Sequence, residues 1–161
     1  MSPRLYRLGP EDWERQRALR LTALAADPDA FYRSLAEEQD LPESRWRERL
    51  SGPAATWVAV VGGADVGLVA CLTDSHEGLP ELVSLWVSPS ARGQGVGAGL
   101  AGAAADFARS TGAAELRLWL ADSNAAGLAL YDRLGAPPTG RTGHFPPPRE
   151  HLTEHERSLA L

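Results

Sequence analysis

The sequence predicts a mixed α/β fold, with antiparallel strands early in the chain and strand–helix units later. Two β-rich runs at 56–61 and 66–72 are separated by a short turn containing two glycines, which is typical of a hairpin. Two later strands, at 82–87 and 115–121, are each followed by a helical segment. With 161 residues, no internal repeat and no linker, the chain is expected to form one domain over residues 1–161.

The N-terminal third is expected to hold one strand and two helical segments. Residues 5–8 form a short apolar strand, and Pro10 is favoured at the first position of the helix that follows. This helix is expected to run to about Ala26. A second, interrupted helical segment is predicted at 34–39 and 43–50, with a proline between its two parts.

Two longer helices are predicted in the C-terminal half. A glycine-rich stretch at 92–99 leads into an alanine-rich helix that stops at Gly112. Ser123 or Asn124 can cap the second helix, which Gly135 should end. No strand is predicted in the Gly- and Pro-rich tail up to Pro148.

The last strand is predicted at residues 155–161, where a weak alternation suggests an edge strand.

Composition and charge exclude several classes of function. The chain carries 21 acidic and 16 basic side chains, and its arginines are scattered, so nucleic-acid binding is not expected. No apolar run approaches the roughly 18 residues that a membrane helix needs. The first residues do not resemble a secretory signal, and the single Cys71 suits a reducing compartment, so a cytoplasmic, soluble protein with an inert buried thiol is expected.

The glycine-rich stretch has the features of an anion site. Glycines at 93, 95 and 97 remove side chains that would keep a phosphate from the main-chain amides. Those amides lie at a helix N-terminus, where unpaired N–H groups and the helix dipole favour negative charge. Arg92 would add a formal positive charge. The loop is therefore predicted to bind a diphosphate.

Three other kinds of glycine-rich loop compete with this interpretation. The stretch could be a glycine-rich loop without a ligand. A P-loop is excluded because no Gly-Lys-Ser/Thr follows. Residues 93–98 do satisfy the G-x-G-x-x-A dinucleotide fingerprint, but Glu115, the acid at the required distance, begins a strand where the fingerprint needs an acid at a strand end.

Two motifs together resemble the GNAT N-acetyltransferases. Arg92-x-x-Gly95-x-Gly97 after a strand is similar to the acetyl-CoA pyrophosphate loop of that family. The segment 124–135, Asn-Ala-Ala-Gly-Leu-Ala-Leu-Tyr-Asp-Arg-Leu-Gly, is similar to the family's later signature. Gly127 replaces the usual alanine and Ala136 the usual phenylalanine, which predicts looser packing behind that helix.

The resemblance implies a mostly antiparallel, twisted sheet of about six to seven strands, flanked by about four helices. A splayed central strand pair would bind acetyl-CoA, with main-chain groups of the first strand pairing with its pantetheine arm. No metal is expected. The residues implied in binding acetyl-CoA are Trp86, Val87, Arg92, Gly93, Gln94, Gly95, Val96, Gly97 and Asn124.

The resemblance also implies direct attack of an amine on the thioester in a ternary complex. Tyr131 would protonate the departing thiolate, although its apolar spacing also fits a core residue. Glu81, at the head of the splayed strand, would act as the base; a plain solvated acid is the alternative, and His76 is the second candidate base. His151 and His155 lack a third ligand for a metal.

The acceptor is expected to be a small-molecule or peptide amine. In this family the loop between the first helices commonly forms one wall of the acceptor cleft, and here Phe31, Tyr32 and Glu38 are the candidate contacts. The alternative is a solvated helix face with two core aromatics. A homodimer is compatible with the resemblance, and a non-catalytic acyl-CoA-binding module is the competing function.

Overall fold

The chain folds around one seven-stranded sheet. A computed structural model describes residues 2–161, except for the side chain of His76, so that candidate base lies outside the described residues. The sheet order is β1-β2-β3-β4-β5-β7-β6. The strands are β1 (Arg4–Arg7), β2 (Ala55–Val61), β3 (Ala64–Leu72), β4 (Glu81–Val87), β5 (Glu115–Ala121), β6 (Pro138–His144) and β7 (Thr153–Ala160). The helices are α1 (Trp13–Ala26), α2 (Leu35–Glu38), α3 (Glu43–Arg49), α4 (Val96–Ser110) and α5 (Ala125–Leu134).

The mixed α/β prediction is confirmed, and the sheet topology decides between two interpretations of the glycine-rich loop. Every described strand pair is antiparallel except β4–β5. A dinucleotide-binding fold needs a mostly parallel, doubly wound sheet. The G-x-G-x-x-A match at 93–98 therefore does not belong to such a fold.

The parallel pair β4–β5 is joined only at its beginning. Glu81 lies opposite Arg117 and Leu82 opposite Leu118, and no later residues of the two strands are paired. A register shift in β4 falls at Ser84, whose φ of 61° is in the left-handed region that non-glycine residues rarely adopt. Beyond Leu82 the two strands therefore diverge, as the family resemblance implied.

The C-terminal strands differ from the prediction. The strand predicted at 155–161 is β7, but it is not an edge strand, because it lies between β5 and β6. The edge is β6, in the tail where no strand was predicted. Pro138 at its start and Gly140, with a φ of 94°, mask the alternation, and the side chains of this strand are almost all exposed.

Two apolar layers cover the sheet. The larger core packs α4 and α5 on one face and includes Leu100, Leu116 and Leu118. The smaller core packs α1 on the other face and includes Leu24 and Trp86. Toward β5 and β7 the same face carries polar side chains, among them Arg117, Glu154 and Glu156. Within residues 2–161, no helix has the length and apolarity needed to cross a membrane.

Candidate active site

A cleft of about 900 Å³ lies where β4 leaves β5. Its walls are the end of β4, the glycine-rich loop with the first turn of α4, the start of α5, and the segment 26–30 after α1. The sequence-predicted cofactor residues of β4, the loop and α5 therefore meet around one space. Its volume lies within the usual range of small-molecule and cofactor sites.

The loop forms a cradle of main-chain amides. Gly95 caps α4 in the left-handed conformation, with a φ of 81°. The first main-chain hydrogen bond of the helix runs from Gly99 N to Gly95 O at 3.0 Å, so the N–H groups of 96–98 have no partner within the helix. A Cβ on Gly97 would lie 3.2 Å from Leu130 Cδ2. The tight backbone and the unpaired amides together suit an anion.

The main chain of Val87 faces the splay. Ser88 N donates to Val66 O of β3 at 2.7 Å, and Leu68 lies opposite Trp86. Because successive residues of a strand point their main-chain groups to opposite edges, Trp86 pairs with β3 while Val87 points toward β5. The expectation for Val87 agrees with this geometry. The expectation that Trp86 also offers free main-chain groups is wrong.

Arg92 is held at the mouth of the cleft by contacts that the sequence did not predict. Its Nε donates to Val87 O at 2.9 Å, and its Nη2 donates to Asp27 Oδ2 at 3.0 Å. The indole of Trp86 donates to the same Asp27 oxygen at 2.7 Å. In this structure the charge of Arg92 is therefore matched by Asp27. No sequence signal marked Asp27 as part of the site.

The side chain of Asn124 caps α5 inside the cleft. Its Oδ1 accepts a hydrogen bond from Gly127 N at 2.9 Å, which leaves its amide NH₂ available to a ligand. A Cβ at position 127 would lie 2.9 Å from Asn124 Nδ2. The departure from the family's usual alanine thus makes room for the cap. The side chain of Gln94 does not line the cleft, and its Nε2 donates to Ser90 O at 3.2 Å.

Tyr131 lies deep in the protein. Its side chain belongs to the larger core and is only 4% exposed, and it does not line the cleft. Burial raises the pKa of its phenol well above the ordinary value, so the hydroxyl stays protonated at neutral pH. A protonated phenol suits a proton donor, but its burial equally suits a packing residue.

Glu81 lies on the face of the sheet opposite the larger core, near a second carboxylate. It is opposite Arg117 of β5, and Arg117 is opposite Ser158 of β7, so these side chains share one face. Glu154 projects from β7 on the same face, four residues away from Ser158. Ser75 Oγ donates to Glu81 Oε2. Burial, and secondly the charge of Glu81, raise the pKa of Glu154.

The predicted acceptor residues have three different environments. Phe31 is a core residue, 3% exposed, and Tyr32 is 55% exposed beside the ring of Phe145. Arg149, in the β6–β7 loop, donates to the carbonyls of Phe31 and Tyr32 at 2.8 and 2.7 Å and so joins the two loops.

Glu38 is not the open acid that was expected. It is 0% exposed and ion-paired with Arg20 at 2.9 Å and Arg49 at 2.6 Å. Burial alone would raise the pKa of Glu38, but the hydrogen bonds and charges of the two arginines lower it overall. It therefore cannot meet an amine directly, and we correct that assignment.

Comparison with known proteins agrees with this geometry. A family model described as the acetyltransferase (GNAT) family matches residues 16–136. An uncharacterised N-acetyltransferase of Methanocaldococcus jannaschii is 31% identical over 84 residues, covering 49% of this chain and 37% of that protein. The mycothiol acetyltransferase of Renibacterium salmoninarum is 27% identical over 124 residues, covering 73% and 35%. The match thus spans little more than a third of either curated relative.

Solved structures share the fold over almost the whole chain. A GNAT-family acetyltransferase from Streptococcus pneumoniae has a TM-score of 0.80 at 17% identity and covers 99% of this chain and 100% of its own. A putative acetyltransferase from Salmonella typhimurium, solved with its cofactor acetyl-CoA, has a TM-score of 0.79 at 18% identity and covers 100% and 95%. Since the family model spans well over half of the sequence, the chain belongs to the acetyltransferase (GNAT) family.

Proposed function

We propose that the protein transfers the acetyl group of acetyl-CoA to an amine by direct attack in a ternary complex. The observation that carries this proposal is the cleft itself, in which an amide cradle at the start of α4 and a free strand edge on β4 face one space. The cradle suits a pyrophosphate and the strand edge suits an amide-containing arm such as pantetheine.

The main-chain amides of residues 96–98 would hold the pyrophosphate. Gly97 has no side chain at the point where α4 passes close to α5, so the backbone there stays accessible. The main chain of Val87 and the amide NH₂ of Asn124 would bind the arm from opposite walls. Val87 O already accepts a hydrogen bond from Arg92 Nε. Because a carbonyl oxygen has a second lone pair, it can still accept one from the arm. The acetyl group would then lie near the divergence of β4 and β5.

The chemistry forms one bond and breaks one. The amine nitrogen attacks the thioester carbonyl carbon, a C–N bond forms, and the C–S bond breaks as the electron pair leaves with sulfur. A strand amide near Val87 would stabilise the carbonyl oxygen, a contribution on the order of 3 kcal/mol. Glu81, directly or through water, would take the amine proton, and Tyr131 would give a proton to the thiolate.

The position of Glu81 supports its role as the base. It stands at the head of β4, next to Leu82, which is the last residue paired with β5 before the two strands diverge. The acetyl donor approaches from the cleft at the other end of β4. Donor and acceptor would thus meet along one strand.

A screen of primary amines with acetyl-CoA and a thiol reagent tests the function. We expect thiol release that depends on one class of amine and an acetylated product detectable by mass spectrometry. Binding of acetyl-CoA without turnover on any amine would instead favour the non-catalytic acyl-CoA-binding module. Absence of both binding and turnover would refute both functions.

A further inference from the structure

A second pocket, of about 340 Å³, lies on the other side of β4 from the cleft. Its walls come from α1, the end of α3, and the α1-facing sides of β2, β3 and β4. The two spaces share β4 as a wall, because Ser84 lines the second pocket while its neighbour Leu85 lines the cleft. A group in the second pocket therefore lies next to the strand that would hold the acetyl donor.

This pocket is also adjacent to the proposed base. Val83 lines the pocket and lies two residues after Glu81 on the same face of β4. Two residues along a strand correspond to about 7 Å. A molecule of modest length could thus occupy the pocket and place an amine near Glu81.

Three guanidinium groups line the pocket, from Arg20, Arg33 and Arg49. Two carboxylates lie nearby: Glu38, buried beneath Arg20 and Arg49, and Glu48 at the rim, 3.5 Å from Arg45. Arg20 also donates to Ser84 Oγ at 2.6 Å, which fixes it against β4. The lining charge is positive, in contrast to the acidic chain as a whole.

Arg33 is the guanidinium that remains available. It is exposed at the pocket, and none of the described side chains forms an ion pair with it. Arg20 and Arg49, by comparison, are already paired with Glu38. A guanidinium presents parallel N–H donors that match a carboxylate or a phosphate.

A buried amide in the wall is also unpartnered. Gln16 lines the pocket from α1, is 6% exposed, and its Oε1 has no hydrogen-bond partner among the described residues. Buried polar atoms are nearly always satisfied, so an unpartnered oxygen on a pocket-lining residue favours a polar partner supplied from outside the protein. A hydroxyl or other neutral donor of the same ligand would satisfy it.

We infer that the second pocket binds the acceptor, and that the acceptor is a small amine carrying an anionic group, a carboxylate or a phosphate. This inference rests on the proposed function. The anion would pair with Arg33 at the open side of the pocket, and the amine would extend along β4 toward Glu81 and the acetyl donor. Glu38 would contribute indirectly, by holding Arg20 and Arg49 in place.

Matched pairs of amines test the inference. Titration calorimetry and turnover would compare α-amino acids with their α-amides, and phosphoethanolamine with ethanolamine. We expect the anionic member of at least one pair to bind about 10-fold or more tightly than its neutral partner, the usual scale for a hydrogen bond to a charged group. The pair that shows the preference identifies the anion as carboxylate or phosphate.

Arg33→Gln should reduce that preference to within a few-fold, by raising KM for the anionic amine with little change in kcat, since Arg33 contacts no reacting atom. The control is Arg109→Gln, an exposed arginine on α4 that is ion-paired with Asp106, and it should keep the preference. Equal binding of anionic and neutral partners, a preference that survives Arg33→Gln, or no response to any probe would each overturn the inference.

The proposed function is checked separately by acetyl-CoA titration of the same samples. An anion preference without acetyl-CoA binding would refute the acetyltransferase proposal and the acceptor role while leaving an anion-binding pocket. Acetyl-CoA binding with turnover only on neutral amines would refute the inference and keep the function.

Discussion

At the scale of single residues, burial decides what the candidate groups can do. The sequence placed Tyr131 in a signature motif and also in an apolar stripe, and the structure buries it on α5 in the larger core. Glu38 was predicted as an acceptor contact because it lies between the first helices, but its partner arginines lie 18 and 11 residues away in the chain. Such long-range pairs leave no local pattern in the sequence.

Tyr131→Phe separates acid catalysis from packing. The substitution keeps the ring and removes the hydroxyl, so we expect kcat to fall by roughly 10- to 10³-fold while acetyl-CoA affinity changes little. Steady-state kinetics and calorimetry measure the two quantities. Unchanged kcat, or a loss of cofactor binding in parallel with a lower melting temperature, would make Tyr131 a packing residue only.

Cys71 gives a prediction about stability and pH. Burial raises the pKa of its thiol from 9.0 to about 11, so the folded state keeps the proton that the unfolded state loses first. This stabilisation is complete below pH 9 and is lost as the pH rises. Between pH 9 and 10 the free energy of unfolding should fall by about 1 kcal/mol through this group.

Urea unfolding at pH 8, 9 and 10 measures that loss. Cys71→Ala serves as the comparison, because it lowers stability at every pH by leaving a small cavity but removes the titrating thiol. We expect a shallower decline in the variant over this range. Parallel declines in the two proteins would show that Cys71 does not contribute.

At the scale of elements, the sequence predicted helix ends well where they depend on a capping residue or a glycine within one turn. Asn124 caps the N-terminus of α5 and Gly135 ends the helix, as predicted, because a capping side chain and a left-handed C-terminal glycine each act within one helical turn. The strand β6 was missed because it forms by pairing with β7. Its own residues show no alternation of apolar and polar side chains that would mark a strand.

Gly95→Ala tests the conformation of the anion cradle. With a φ of 81°, an alanine here should cost about 1 to 2 kcal/mol and distort the amides, so acetyl-CoA should bind more weakly. Gly102→Ala is the matched control on α4, where an added Cβ meets nothing within 4 Å. It should raise stability by about 0.5 to 1 kcal/mol and leave affinity unchanged. Equal effects of the two substitutions on acetyl-CoA affinity would argue against the cradle.

At the scale of the whole molecule, the short parallel pairing of β4 with β5 organises the candidate site. Strand β4 supplies the free edge, Glu81 and the wall common to both pockets. The family resemblance predicted the splay and most of the residues that line the cleft. The second pocket, where we propose that the acceptor binds, was not predictable, because it brings together α1, α3 and three strands whose polar side chains are scattered through the first half of the sequence.

The most direct test of this account is calorimetric titration of the protein with acetyl-CoA, with NAD as the comparison. We predict saturable binding of acetyl-CoA alone, accompanied by a rise in stability of about 2.7 kcal/mol at a ligand concentration 100-fold above the dissociation constant. Binding of NAD without any binding of acetyl-CoA would contradict the central claim that the cleft between β4, α4 and α5 is an acetyl-CoA site.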